Sequence, residues 1–142
     1  KIFLMKNLSL PWLYYGLAIA QALHSTEEVL TRLWAWFKPV TASLHGQFSW
    51  FPVMQSMGET NFAAANLLIV TGLLALTPFV FERRPWALNL AFWIAIIEIV
   101  NGSAHLAVAL ALRSYFPGVL AGLGLIVFGV LYVRRSRAES QV

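Results

Sequence analysis

Two stretches hold most of the chemistry available to this chain. Residues 24–28 read His-Ser-Thr-Glu-Glu, and residues 98–105 read Glu-Ile-Val-Asn-Gly-Ser-Ala-His. On a helix, His24 and Glu28 share a face that Gln21 and Thr31 extend, with Glu27 about 60° to one side. Glu98, Asn101 and His105 follow one another at i, i+3 and i+7, which is again a single face. The chain has no cysteine. Thiolate metal sites, disulfides and cysteine nucleophiles are therefore excluded.

Four kinds of chemistry suit such a set. Imidazole and carboxylate from two helices supply nitrogen and oxygen ligands for a divalent metal, zinc or iron, through His24, Glu28, Glu98 and His105. The same groups in a dry cavity could run metal-free acid–base chemistry, one carboxyl donating a proton and another accepting one. A proton or ion path is a third reading. The fourth is an interhelical hydrogen-bond network that only fixes packing.

The elements that carry these residues are strongly apolar. Of the 142 residues, 59% are hydrophobic and 11% charged, and the mean hydropathy is +0.70. Soluble domains carry about 25% charged residues, so the composition describes a membrane protein. The expected fold is all-α, a transmembrane bundle of four spans over about 11–37, 61–81, 86–112 and 117–133, forming one domain. Each span is near the roughly 17–25 residues needed to cross the hydrocarbon. Proline opens the first, third and fourth, and Pro78 is expected to kink or end the second. Residues 38–60, with two prolines, two glycines and Trp50 beside phenylalanines, are too broken to span. They read as an interfacial loop or short amphipathic helix between the first two spans. Lys1 and Lys6 ahead of an apolar run could mimic a signal peptide. Without a small-residue cleavage site before His24, the run reads as a mature helix.

The net charge of +4 sits at helix ends, which fits a membrane surface and not nucleic acid. Four spans put Lys1, Lys6, Arg83, Arg84, Arg134, Arg135 and Arg137 on one side and leave Arg32, Lys38 and Arg113 on the other. That bias predicts both termini in the cytoplasm. The terminal Arg-Arg-Ser-Arg reads as a cytoplasmic anchor.

In this arrangement the first and third spans run in the same direction. Counted from Pro11 and Pro85, both polar stripes lie roughly 20–30 Å from the cytoplasmic end at about 1.5 Å per residue. They are level, in the half of the bilayer away from the cytoplasm, and satisfy one another if the two helices pack face to face. Three ionised glutamates facing lipid at that depth would cost roughly 8 kcal/mol. An inward-facing site is therefore expected. Of the remaining residues, His45 reads as surface, Glu59 and Asn61 as a polar helix start, and Asn66 as a side chain within reach of the cluster. Gly118, Gly122 and Gly124 would allow close packing of the fourth span.

His-Ser-Thr-Glu-Glu (24–28), Asn-Gly-Ser-Ala-His (101–105) and Tyr-Phe-Pro-Gly (115–118) occur in that order. The pattern resembles the HXXEE-motif family of small integral membrane proteins, marked by His-x-x-Glu-Glu, Asn-x-x-x-His and Tyr-x-Pro-Gly. The resemblance implies a multi-helix membrane fold and places the marked residues at His24, Glu27, Glu28, Asn101, His105, Tyr115, Pro117 and Gly118. It implies no particular activity. Pro117-Gly118 would make a sharp turn at the start of the fourth span and hold the Tyr115 hydroxyl near the mouth of the cluster.

The functional expectation is a metal-dependent membrane enzyme on a lipophilic substrate. Its metal would be held by His24, Glu28, Glu98 and His105. Glu27 would act as acid/base, Asn101 would orient a ligand or substrate, and Tyr115 would bond inward. Membrane lipids are the expected surroundings, with other membrane subunits or further copies of the chain as partners. The competing expectation is a non-enzymatic accessory subunit of a larger membrane complex.

Overall fold

A computed structural model of the chain describes residues 9–50, 53 and 58–139. The expected basic residues Lys1 and Lys6 lie outside them. The regular elements are α1 (Leu10–Leu30), a 3-10 turn (Leu33–Ala35), α2 (Phe37–Gln47), α3 (Glu59–Phe81), α4 (Pro85–Leu112) and α5 (Val119–Glu139). The described residues are all-helical, with no strand among them.

Local sequence accounts for most helix starts. Pro11 and Pro85 stand in the first turns of α1 and α4, where a missing N–H costs nothing. Gly58 caps α3, with Glu59 in its first turn. Pro39 falls in the first turn of α2, so the segment after the first apolar stretch is partly helical. Pro78 lies inside α3, which continues to Phe81. The arginine-rich tail belongs to α5, which runs on to Glu139.

The first apolar stretch ends as a helix at Leu30, not near Phe37. The Thr31 hydroxyl donates back to the Glu27 carbonyl at 2.6 Å, and Arg32 adopts a left-handed conformation with φ 61°. The turn lets Leu33 pack with Phe62 and Phe116 in a small cluster separate from the main core. Burial there outweighs the continuous hydrophobic run. Arg83 (φ 57°) and Arg113 (φ 49°) also take left-handed conformations, at the ends of α3 and α4.

Three helices, α3, α4 and α5, are long and apolar enough to cross a membrane. α1 matches them in length at 21 residues, but Gln21, His24, Glu27 and Glu28 lower its hydropathy. The outward face is apolar, with Leu23, Leu68, Ile97, Val100, Leu110 and Leu120 exposed. Such a surface suits lipid better than water.

The helices alternate in direction. The start of α1, the turn between α3 and α4, and the end of α5 meet at one end of the bundle, where Leu10, Arg83 and Glu139 line one pocket and Arg83 Nη2 lies 2.9 Å from Glu139 Oε2. Helix α5 is the hub, packed along both α4 and α1, while α3 packs on α1. Helices α1 and α4 make little direct contact. The expected face-to-face packing of the two polar helices is therefore replaced by a shared neighbour.

Small residues bring that neighbour close. A Cβ on Gly102 would strike the Gly122 carbonyl, and one on Gly129 would meet Ile99 Cγ1 at 2.6 Å and the Ala95 carbonyl at 3.0 Å. Gly124 abuts Ala20 on the α1 side. Gly102→Val should push α4 off α5 and cost roughly 1–3 kcal/mol, read as a lower midpoint in thermal unfolding in detergent. Gly72→Ala, with nothing within 4 Å of its new Cβ, should leave the midpoint unchanged or slightly higher.

Candidate metal centre

The polar residues gather where α1 and α4 near their ends and α5 begins. His24 and Glu28 come from α1, His105 from α4, and all three are buried. The imidazole rings stand edge to face, with centroids 4.6 Å apart. Between them lies one carboxylate oxygen: Glu28 Oε1 is 3.1 Å from His24 Nε2 and 3.2 Å from His105 Nε2.

The outer nitrogens fix one proton on each ring. His24 Nδ1 lies 2.9 Å from the Gly118 carbonyl oxygen, and His105 Nδ1 lies 2.5 Å from the Pro117 carbonyl oxygen. A carbonyl only accepts, so each Nδ1 carries the proton and donates it. Both Nε2 atoms turn inward. Two ring nitrogens and a carboxylate oxygen converge on one small volume. A cation, metal or proton, shared among them holds such a set together.

Gly118 makes the arrangement possible. Its φ is +84°, and a Cβ there would lie 2.7 Å from both His105 Nδ1 and His24 Cε1. Only glycine combines the left-handed backbone with the space for two rings. The Pro-Gly turn expected to start a helix also supplies both carbonyls that hold the histidines.

One ligand atom from each of His24, Glu28 and His105 lies within 4.8 Å of the others. Ligands about 2.0–2.1 Å from a tetrahedral zinc stand about 3.3 Å from one another, close to the two carboxylate–imidazole separations here. Two histidines and one carboxylate also form the facial triad of non-haem iron sites. An N–H donated to a backbone carbonyl is the usual outer support of a metal-ligating histidine.

Glu98, expected as a fourth ligand, is buried but stands outside this group. Asn101 links it to the centre. Its Nδ2 lies 3.3 Å from Glu98 Oε2 and 3.4 Å from His24 Nε2. Gln21 donates to Ser25 Oγ at 3.1 Å, and its Oε1 is buried without a hydrogen-bond partner among the described residues. Asn66 donates to the Phe62 carbonyl of its own helix. His45 is exposed on α2.

Glu27 turns away from the histidines. Its Oε1 accepts from the Tyr115 hydroxyl at 2.6 Å and from the Leu120 amide at 3.3 Å, and its Oε2 accepts from the Ala121 amide at 2.7 Å. It thereby caps the first turn of α5 from another helix. Tyr115 bonds toward the bundle, with Glu27 as its partner. His24, Glu27, Glu28, Asn101, His105, Tyr115, Pro117 and Gly118, the marked residues of the three patterns, thus take part in one connected arrangement.

The family described as "Protein of unknown function with HXXEE motif" matches residues 15–133. The chain belongs to this family. The match spans the three membrane-crossing candidates apart from the end of α5, and it contains the whole HXXEE centre. Neither the curated proteins nor the solved structures gave a match.

Missing from the sequence reading were the two backbone carbonyls and the cap that Glu27 makes on α5. The Pro-Gly after Tyr115 was the available signal for the first, because a turn there exposes carbonyls beside the helix start. Nothing local in the sequence signals the second.

Tyr115 lies in the α4–α5 connection. Partial burial and then the neighbouring Glu27 carboxylate raise its pKa above the ordinary value, against the lowering influence of Thr31 and the Gly118 backbone. The phenol should stay protonated through pH about 10, where an ordinary tyrosine is half ionised. Its bond to Glu27 is complete below that pH and is lost as pH rises through the raised value. The difference between ultraviolet titrations of the wild type and Tyr115→Phe should place this phenol above pH 10. A difference curve centred at or below 10 would refute it.

Proposed function

We propose that this HXXEE protein is a multi-pass membrane protein that holds one divalent metal, zinc or iron, on His24, His105 and Glu28, and acts as a metal-dependent enzyme on a lipophilic substrate. In this reading α1 joins α3, α4 and α5 as a fourth span, both termini lie in the cytoplasm, and the centre sits in the opposite half of the bilayer. The gathering of the Arg83–Arg84 turn and the basic end of α5 at one end of the bundle supports that orientation.

The observation that carries the proposal is the convergence of two inward Nε2 atoms and Glu28 Oε1, with both rings locked from behind by backbone carbonyls. With both Nδ1 protons given to carbonyls, the three inward atoms need a shared cation, and a divalent metal on two imidazoles and a carboxylate supplies it. Three protein ligands leave a coordination position for exchange, as catalytic metal sites do. A metal bound there would supply Lewis-acid polarisation of a substrate group. Asn101, whose Nδ2 lies 3.4 Å from His24 Nε2, would orient that group. For a lipophilic substrate, a groove of about 300 Å³ between α1 and α3 is lined by Ala22, Ser25, Val29, Asn66, Leu67 and Val70. Its lining includes Ser25, which follows His24 in the chain.

Metal analysis of purified protein, after loading with zinc or ferrous iron and desalting, should find about one ion per chain. His24→Ala, His105→Ala and Glu28→Gln should each lower the affinity at least tenfold. Metal-free wild type after both loadings would overturn the metal centre. If the protein then co-purified stoichiometrically with a larger membrane complex, it would be an accessory subunit.

A further inference from the structure

The metal reading uses three ligands and gives Glu27 no part in binding the ion, although its carboxylate accepts three hydrogen bonds. We infer that Glu27 is the positioning residue of the centre, a clamp that sets both histidines through the turn between α4 and α5. The inference rests on the metal reading for its affinity readout, but not for its geometry.

The amide inventory of the α5 start shows how the clamp works. The first N–H groups of any helix lack intrahelical partners. Val119 N donates to the Phe116 carbonyl at 3.1 Å, and Gly122 N donates to the Gly118 carbonyl at 2.8 Å. The two amides between them, Leu120 and Ala121, both go to Glu27. An anionic carboxylate at a helix N-terminus is favoured by the exposed amides and by the helix dipole. The same carboxylate holds Tyr115. Glu27 therefore grips the turn on both sides of Pro117 and Gly118, whose carbonyls bind the two Nδ1 atoms.

The chain of contacts is short. Glu27 and Glu28 are neighbours on α1, one facing the turn and the other facing the imidazoles. Their common backbone fixes the distance between the ligand oxygen and the carbonyls that aim the rings. Release of the turn would let both carbonyls move away. The rings would then lose their single tautomer, and the Nε2 atoms their common focus.

The test uses the full chain in detergent, with helicity followed by circular dichroism. Zinc affinity is read by competition with a chromophoric chelator in wild type, Glu27→Ala and Glu27→Gln. The amide of Glu27→Gln keeps one acceptor oxygen, so it serves as the partial rescue and as the fallback if Glu27→Ala does not fold. Tyr14→Phe, which removes a bond to the Leu73 carbonyl elsewhere in the core, controls for a general loss of stability. With helicity retained, Glu27→Ala should weaken zinc binding roughly tenfold, with Glu27→Gln between it and wild type and Tyr14→Phe unchanged. Unchanged affinity in Glu27→Ala would overturn the clamp.

A second readout needs no metal. In metal-free protein labelled with 15N-histidine and carrying His45→Gln, both remaining rings should show a protonated Nδ1. Adding Glu27→Ala should replace those signals with a mixture of tautomers. Signals that do not change with Glu27→Ala would sink the inference. If wild type takes up no metal, the metal centre fails by itself, and this spectrum decides the clamp.

Discussion

Two hydrogen bonds to consecutive carbonyls govern this protein. The Pro117 and Gly118 oxygens each take the Nδ1 proton of a histidine from a different helix. That single turn decides which nitrogen of each ring is free, where it points, and how closely α1, α4 and α5 assemble at this end. The glycine at 118 is required by the backbone and by the rings it touches. The glycines at 102 and 122 bring α4 within reach of the same turn. Packing and chemistry are thus two aspects of one local geometry.

The arrangement also resolves an energetic conflict. Buried carboxylates in an apolar bundle are costly unless bonded or neutralised. Glu27 meets that demand with two backbone amides and a phenol. Glu28 meets it with two imidazoles, but only if a cation is shared among the three groups. Adjacent glutamates on one helix therefore meet different surroundings, one held by backbone amides and a phenol and the other set between two imidazoles.

Much of this was legible in the residues. Spacing placed His24 with Glu28 and Asn101 with His105, and depth counting brought the two pairs to the same level. Apolar run lengths and prolines marked α3 and α4 closely and the start of α5, which runs on past the expected end at 133 to Glu139. The end of α1 was misplaced, because the turn at Arg32 depends on where Leu33 packs, a tertiary matter. The partnership of α1 with α4 was also misjudged. Depth says that two stripes are level, not which helices touch, and close approach of α5 through its glycines decided that. Glu27 and Glu28 could not be told apart by sequence, since 100° of helix rotation separates a cap on α5 from contact with both imidazoles and the outcome depends on the start of another helix.

Three helices close on an arginine in a left-handed conformation, at Arg32, Arg83 and Arg113, a place where glycine is the easier residue. Where the helices cross a bilayer as proposed, a guanidinium at each corner would resist being drawn into hydrocarbon. The bundle would then lean, not slide along the membrane normal, in a thicker or thinner lipid phase. Its polar heart would keep a set distance from each surface.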